Sequence, residues 1–154
     1  MRYLVDTNVL LRSVEEAHPM NDAAVNAIEV LLTQGKELCI TLQNLIEFWA
    51  VATRPVGVNG LGLSLSQAIA ELTELKGIFT LQPDTPRLMV EWERLVVQHQ
   101  VMGKQAHDTR LVAAMLTHQI THLLTFNTDD FKRFAEITAI DPREVLMQGA
   151  IEED

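Results

Sequence analysis

Two apolar runs in this chain stop abruptly at groups able to ligate a cation. Arg2-Tyr3-Leu4-Val5 ends at Asp6, and Leu123-Leu124-Thr125-Phe126 leads into Asn127-Thr128-Asp129-Asp130. Each reads as a strand whose C-terminal end presents its polar group at the start of a helix. In open parallel α/β sheets, ligands collect beyond the carboxyl ends of the strands. Glu47 and Asp108 stand near further helix starts between these two runs. Four acidic sites gathered on one rim would make a cage for a hard divalent cation, which takes oxygen ligands.

Each of these residues also has a structural role open to it. Asp6 suits the cap of the helix after the first strand, and Asn8 fits a turn that holds its carboxylate. Glu47 lies away from the centre of its helix's apolar stripe, as a solvated Glu would. Asp108 is in phase with Leu111, Val112 and Met115, so it starts on an inward face, where an acid needs a partner or a capping role. Asn127 and Asp130 have the spacing of a capping pair, and Asp129 is expected to face solvent. Thr125 is placed to support Asn127 or a bound water. The ordered set favours a site over independent caps. The chain has no Gly-rich phosphate loop, no nucleophilic Ser or Cys with a base, and no Cys/His zinc spacing. Asp6-Thr7-Asn8 lacks the second Asp of an aspartyl-phosphate phosphatase, and the paired acids and late Lys of a receiver domain are missing.

The elements that must position these groups alternate between strand and helix. Strands are expected at 2–5, 37–41, 77–82, 122–126 and 137–140. Helices are expected at 8–16, 21–34 and 42–53, then from Ser64 or Ser66, from Asp84 with Pro86 in the first turn, from Asp108, and over 128–135. In the third helix the apolar stripe reads Leu42, Leu45, Ile46, Trp49 and Ala50. Gly57, Gly60 and Gly62 mark the one long loop. This order implies an α/β three-layer sandwich around a central, mostly parallel five-stranded sheet.

The chain of 154 residues suits one domain, with 47% apolar and 21% charged residues as in globular proteins. The single Cys39 allows no internal disulfide, which fits a reducing, cytoplasmic setting, and no apolar stretch has the length of a membrane span. A net charge of −9 argues against a general nucleic-acid coat, which needs a basic surface. Arg12, Arg54, Lys104, Arg110, Lys132 and Arg133 nevertheless lie near the acidic sites in sequence, so phosphate contact is expected to be local.

With these residues in view, the chain resembles the PIN-domain family. The resemblance rests on Asp6-Thr7-Asn8 after a first strand, Glu47 in the helix after the second, and His107-Asp108-Thr109-Arg110-Leu111. It rests also on Leu124-Thr125-Phe126-Asn127-Thr128-Asp129-Asp130-Phe131. Phe48-Trp49-Ala50-Val51-Ala52-Thr53-Arg54-Pro55, followed by Gly60-Leu61-Gly62-Leu63-Ser64, is similar to the VapC-type toxin branch. The likeness covers residues 2–142, a PIN-like nuclease domain over 1–142, and leaves 143–154 as a C-terminal extension, acidic at its Glu152-Glu153-Asp154 end and expected to be solvated.

The resemblance implies a Mg²⁺- or Mn²⁺-dependent endoribonuclease, the toxin of a toxin–antitoxin pair, dimeric and paired with a cognate antitoxin. Mg²⁺ keeps several waters and takes one or two protein carboxylates, so Asp6 and Asp108 are expected to ligate directly. Glu47 and either Asn127 or Asp130 would bind through water, orient the attacking water or hold a second ion; where the family often has Asp, this chain offers Asn127 or, three residues on, Asp130. Competing readings are a catalytically weak RNA- or antitoxin-binding scaffold and a structure-specific DNA nuclease. Phe48, off the apolar stripe, and the loop Val56–Leu63 are expected to form a homodimer contact or the antitoxin groove.

Overall fold

In a computed structural model of the chain, residues 1–152 are described. The five strands are β1 (Arg2–Val5), β2 (Glu37–Thr41), β3 (Thr80–Gln82), β4 (His122–Leu124) and β5 (Thr138–Ile140). They form one sheet in the order β3-β2-β1-β4-β5, and every pairing is parallel. The helices are α1 (Thr7–Val14), α2 (Asn21–Thr33), α3 (Leu42–Ala52), α4 (Leu65–Ile78), α5 (Arg87–Gln98), α6 (Gln105–Thr117) and α7 (Pro142–Glu152). Single 3₁₀ turns occur at Val56–Val58 and Thr128–Phe131.

The three central strands β2, β1 and β4 are buried and almost wholly apolar after their first residues because both of their faces are covered, whereas the edge strand β3 is largely exposed. Tyr3, Val5, Leu38, Ile40 and Leu124 point into one core, closed by α1, α2, α3, α4 and α7. Leu4, Cys39 and Leu123 alternate into the other, closed by α5 and α6. The expected three-layer α/β sandwich is thus present, with a sheet that is wholly parallel. β1 lies at the centre; the chain winds outward through β2 and β3, then returns to the other side of β1 through β4 and β5. That reversal leaves a crevice beyond the C-terminal ends of β1 and β4.

Several boundaries differ from expectation. The segment from Gly77 does not begin β3: α4 runs on through Ile78, because burying Leu75 and Phe79 outweighs the weak helix propensity of one Gly. Asp84 does not cap α5, which starts at Arg87 after Pro86; it pairs with Arg110 instead. Gly103, at φ +63°, turns the chain so that α6 starts at Gln105, and Asp108 sits in its first turn rather than opening it. α7 is a helix packed on α2, with Val145 in the core. Glu152 ends it; Glu153 and Asp154 of the expected solvated tail lie outside the described residues.

The largest correction concerns α3. Its expected stripe is rotated: Leu42 and Ile46 are exposed, whereas Asn44, Leu45, Phe48 and Ala52 are buried. Phe48 is wholly enclosed within its own chain, so it offers no homodimer contact and no partner groove. Apolarity on two sides of this helix hid which side faced the core. The polar Asn44 decides it, because its side chain completes a capping box with Thr41 and donates to Thr7 Oγ1 at 3.1 Å. Phe48→Ala should therefore cost about 3–5 kcal/mol of stability by leaving a cavity. Chemical denaturation and light scattering together test this: a stable variant of altered solution mass would restore the interface role of Phe48.

Candidate active site

Asp6 follows directly on β1, and its backbone N–H continues the ladder by donating to Leu124 O at 2.9 Å. Its carboxylate is set by three neighbours. Oδ1 accepts from Thr7 N at 2.8 Å; Oδ2 accepts from Thr125 Oγ1 at 2.8 Å and Asn8 Nδ2 at 3.4 Å. Thr125 in turn accepts from Asn8 Nδ2 and Asn127 N, and Phe126 N donates to Asn8 Oδ1. The ends of β1 and β4 are thereby locked through the short side chains of Asp6, Asn8 and Thr125. Thr125 supports Asp6 and the Asn127 backbone, a fuller role than the sequence indicates.

Glu47 reaches the same place from α3. Leu45, Phe48 and Ala52 face the core, which turns Glu47, Ala50 and Val51 toward the crevice, with Arg54 just beyond. Asp6, Glu47, Asp108 and Asn127 line one cleft of about 360 Å³, together with Arg54. The expected capping pair at Asn127 is absent: the Asn127 side chain makes no capping bond, and the turn closes through Asp130 N to Asn127 O at 3.1 Å. Asp130 is exposed and outside the cleft lining, but its charge acts on Asp108.

Burial pushes the Asp6 carboxyl up to about 6; the Thr125 and Thr7 hydrogen bonds oppose this, and Glu47 and Asp108 add to it by repulsion. The Asp108 carboxyl is also raised, by burial first and then by Asp130 and Glu47, against the nearby charges of His107 and Lys104. Among the described residues, no three acids, histidines or cysteines stand close enough to hold a metal ion by themselves. The expected four-acid cage is thus replaced by a looser set of oxygen donors. Such a set fits a hydrated hard cation, which keeps most of its waters and needs only one or two carboxylates. The raised carboxyls are the second mark of fit, since a bound cation would offset both the poor solvation and the repulsion that raise them.

Of the six basic residues near these acids in sequence, Arg54 is the one that lines the cleft. Arg12, Arg110 and Lys132 are paired with Glu15, Asp84 and Asp129. The loop after α3 folds back on Arg54: Gly62 N donates to its carbonyl at 2.8 Å, and a Cβ on Gly60 would run into that carbonyl. Sequence reasoning passed over Gln43 and Asn44, although the Thr41-x-x-Asn44 spacing and the position of Gln43 four residues before Glu47 were both visible signals.

The family model described as PIN domain matches residues 3–137. The chain belongs to the PIN-domain family. Solved toxin–antitoxin structures share its fold at low identity. VapBC2 from Rickettsia felis, bound to a promoter DNA fragment, superposes with a TM-score of 0.70 at 16% identity, covering 92% of this chain and 98% of that one. VapBC-1 from nontypeable Haemophilus influenzae gives 0.68 at 17% identity, covering 93% and 99%. VapC20 of Mycobacterium tuberculosis, a Sarcin-Ricin loop cleaving toxin, gives 0.63 at 16% identity, covering 86% and 95%. No curated protein matches the chain in sequence.

In the folded PIN domain the Asp6 carboxyl binds its proton more tightly than in the unfolded chain, where the ordinary value is 3.8. Its ionisation therefore costs stability as pH rises from about 4, and the cost is complete above about 6, at about 3 kcal/mol. Without divalent ions, Asp6→Asn should be more stable than the parent by up to that amount near pH 7.5, and should lose the advantage below about pH 4. Urea unfolding at both pH values checks this; an advantage independent of pH would assign it to something other than ionisation of Asp6.

Proposed function

We propose that this PIN domain is a divalent-metal-dependent endoribonuclease, the toxin of a toxin–antitoxin pair working in the cytoplasm. The observation that carries the reading is the convergence of Asp6, Glu47 and Asp108 on one cleft at the point where the sheet order reverses. Asp6 and Asp108 would hold Mg²⁺ or Mn²⁺. The ion would supply a water of lowered pKa and neutralise charge on the scissile phosphate. Glu47 would orient the attacking water and take up its proton. Asn127 lines the cleft and would hold a water, while Asp130 strengthens the negative field at Asp108. Arg54 would bind an RNA phosphate beside the acids, a local contact that suits a chain of net charge −9.

The antitoxin would seat elsewhere than at Phe48. A groove of about 410 Å³ between α1, α2 and α4 has an apolar floor that includes Ile28, Leu75 and Phe79, and its rim carries Glu16, Glu29, Glu71 and Glu74. The Glu71 carboxyl is raised, by burial and by repulsion from Glu74. An amphipathic, basic segment complements this surface in both respects. The homodimer would form across other apolar surface, for which the exposed Leu42 and Ile46 of α3 are candidates.

Cleavage of a mixed RNA pool tests the enzyme. Activity should require Mg²⁺ or Mn²⁺, stop with EDTA, and fall to the EDTA level in Asp6→Asn and Asp108→Asn. Full activity in either variant removes that residue from the mechanism, and cleavage of DNA alone would favour the DNA-nuclease reading. Metal-dependent RNA binding without turnover would favour the scaffold. Asp130→Asn should shift the Mg²⁺ titration to higher concentration, more than Asn127→Ala does; the reverse order would exchange their roles. Glu71→Lys with Glu74→Lys should weaken capture of a small basic protein encoded beside this chain, leaving cleavage intact. Unchanged capture would place the partner on another face.

A further inference from the structure

We propose that Gln43 is a positioning residue that fixes Glu47 and Asp108 relative to one another, an inference that rests on the metal-nuclease reading of the cleft. Gln43 lies in the first turn of α3, one helical turn before Glu47 on the same face. Its Nε2 donates to Glu47 Oε1 at 2.7 Å and to His107 O at 3.0 Å. His107 immediately precedes Asp108 in the first turn of α6. One amide nitrogen therefore spends both protons tying the two acid-bearing helices together. Its Oε1 faces Arg110 Nη1 at 3.5 Å, and Arg110 Nη2 is held by Asp84 Oδ2 at 2.9 Å. This arrangement keeps the carboxamide oxygen turned toward the guanidinium and the nitrogen turned toward the carboxylate.

The chemistry of the link matters as much as its geometry. A neutral amide occupies one Glu47 oxygen and leaves the other for the cleft. Arg110 stands one step back, so its full charge does not close a salt bridge on Glu47 that a cation would have to break. Outer groups that orient metal-binding carboxylates commonly change metal affinity by about 10–100-fold when removed. Gln43 is partly exposed, so its loss leaves both cores intact.

Mn²⁺ binding to the RNA-free protein, measured by calorimetry, tests this without reliance on activity. Gln43→Met keeps the side chain's length and removes its donors; it should weaken Mn²⁺ binding about 10-fold with the metal-free melting temperature unchanged. Gln43→Glu, which cannot donate to Glu47 and adds repulsion, should weaken it at least as much. In a Glu47→Gln background, Gln43→Met should weaken binding by less than it does in the parent, because residues coupled through a shared contact are not additive. Unchanged affinity in Gln43→Met, or losses that add in the double variant, overturns the role of Gln43 alone. Absence of Mn²⁺ binding by the parent chain overturns the metal-nuclease reading and the proposal with it.

Discussion

Asp6 carries its charge in a poorly solvated pocket, with Glu47 and Asp108 near enough to repel it. The fold tolerates this because Thr7 and Thr125 donate to the carboxylate, and because those donors are themselves held by Asn44 and by Asn8. The remaining cost, mostly of burial with repulsion added, is concentrated at the reversal of strand order. A surface shaped only for stability would not gather these groups, and perturbed carboxyls clustered in a cleft mark a candidate functional site.

How α3 rolls on the sheet determines what the crevice contains. Phe48 and Leu45 sink into the core, and the helical period then leaves Gln43, Glu47, Ala50 and Val51 on a second face. Leu42 and Ile46 fall on a third. A helix with three such faces serves the core, the cleft and the outside surface at once. The return of the chain through Gly60 and Gly62 then fixes the backbone of Arg54 at the open end of the same cleft. The second face brings a side chain from one helix within reach of the backbone of another, as Gln43 is to His107.

Charge is distributed to match. Half of the six basic groups near the rim are paired with a local acid, namely Arg12, Arg110 and Lys132. Of the rest, a single guanidinium lines the acid cleft, and a separate groove ringed by glutamates lies on the α1–α2–α4 side.

The amino-acid sequence by itself determined the layer order, the parallel sheet and the acids at the strand ends, because these follow from local pattern. Apolar runs buried on both faces, such as Leu38-Cys39-Ile40, and acids that stop them, such as Asp6, are legible in a short window. What only the tertiary structure decided was direction. Leu42, Leu45, Ile46, Phe48 and Trp49 offer two apolar faces of similar strength, and the contact of Asn44 with Thr7, 37 residues away, selects between them. The starts of α4's successor strand and of α6 moved for the same kind of reason, since the burial of Phe79 and the turn at Gly103 outweigh local signals. Likewise Asn127 and Asp130 have ideal capping spacing in sequence, yet the turn closes through the backbone and frees the Asn127 side chain at the cleft. Local pattern sets which residues can do a job; packing of distant elements sets which way each of them faces.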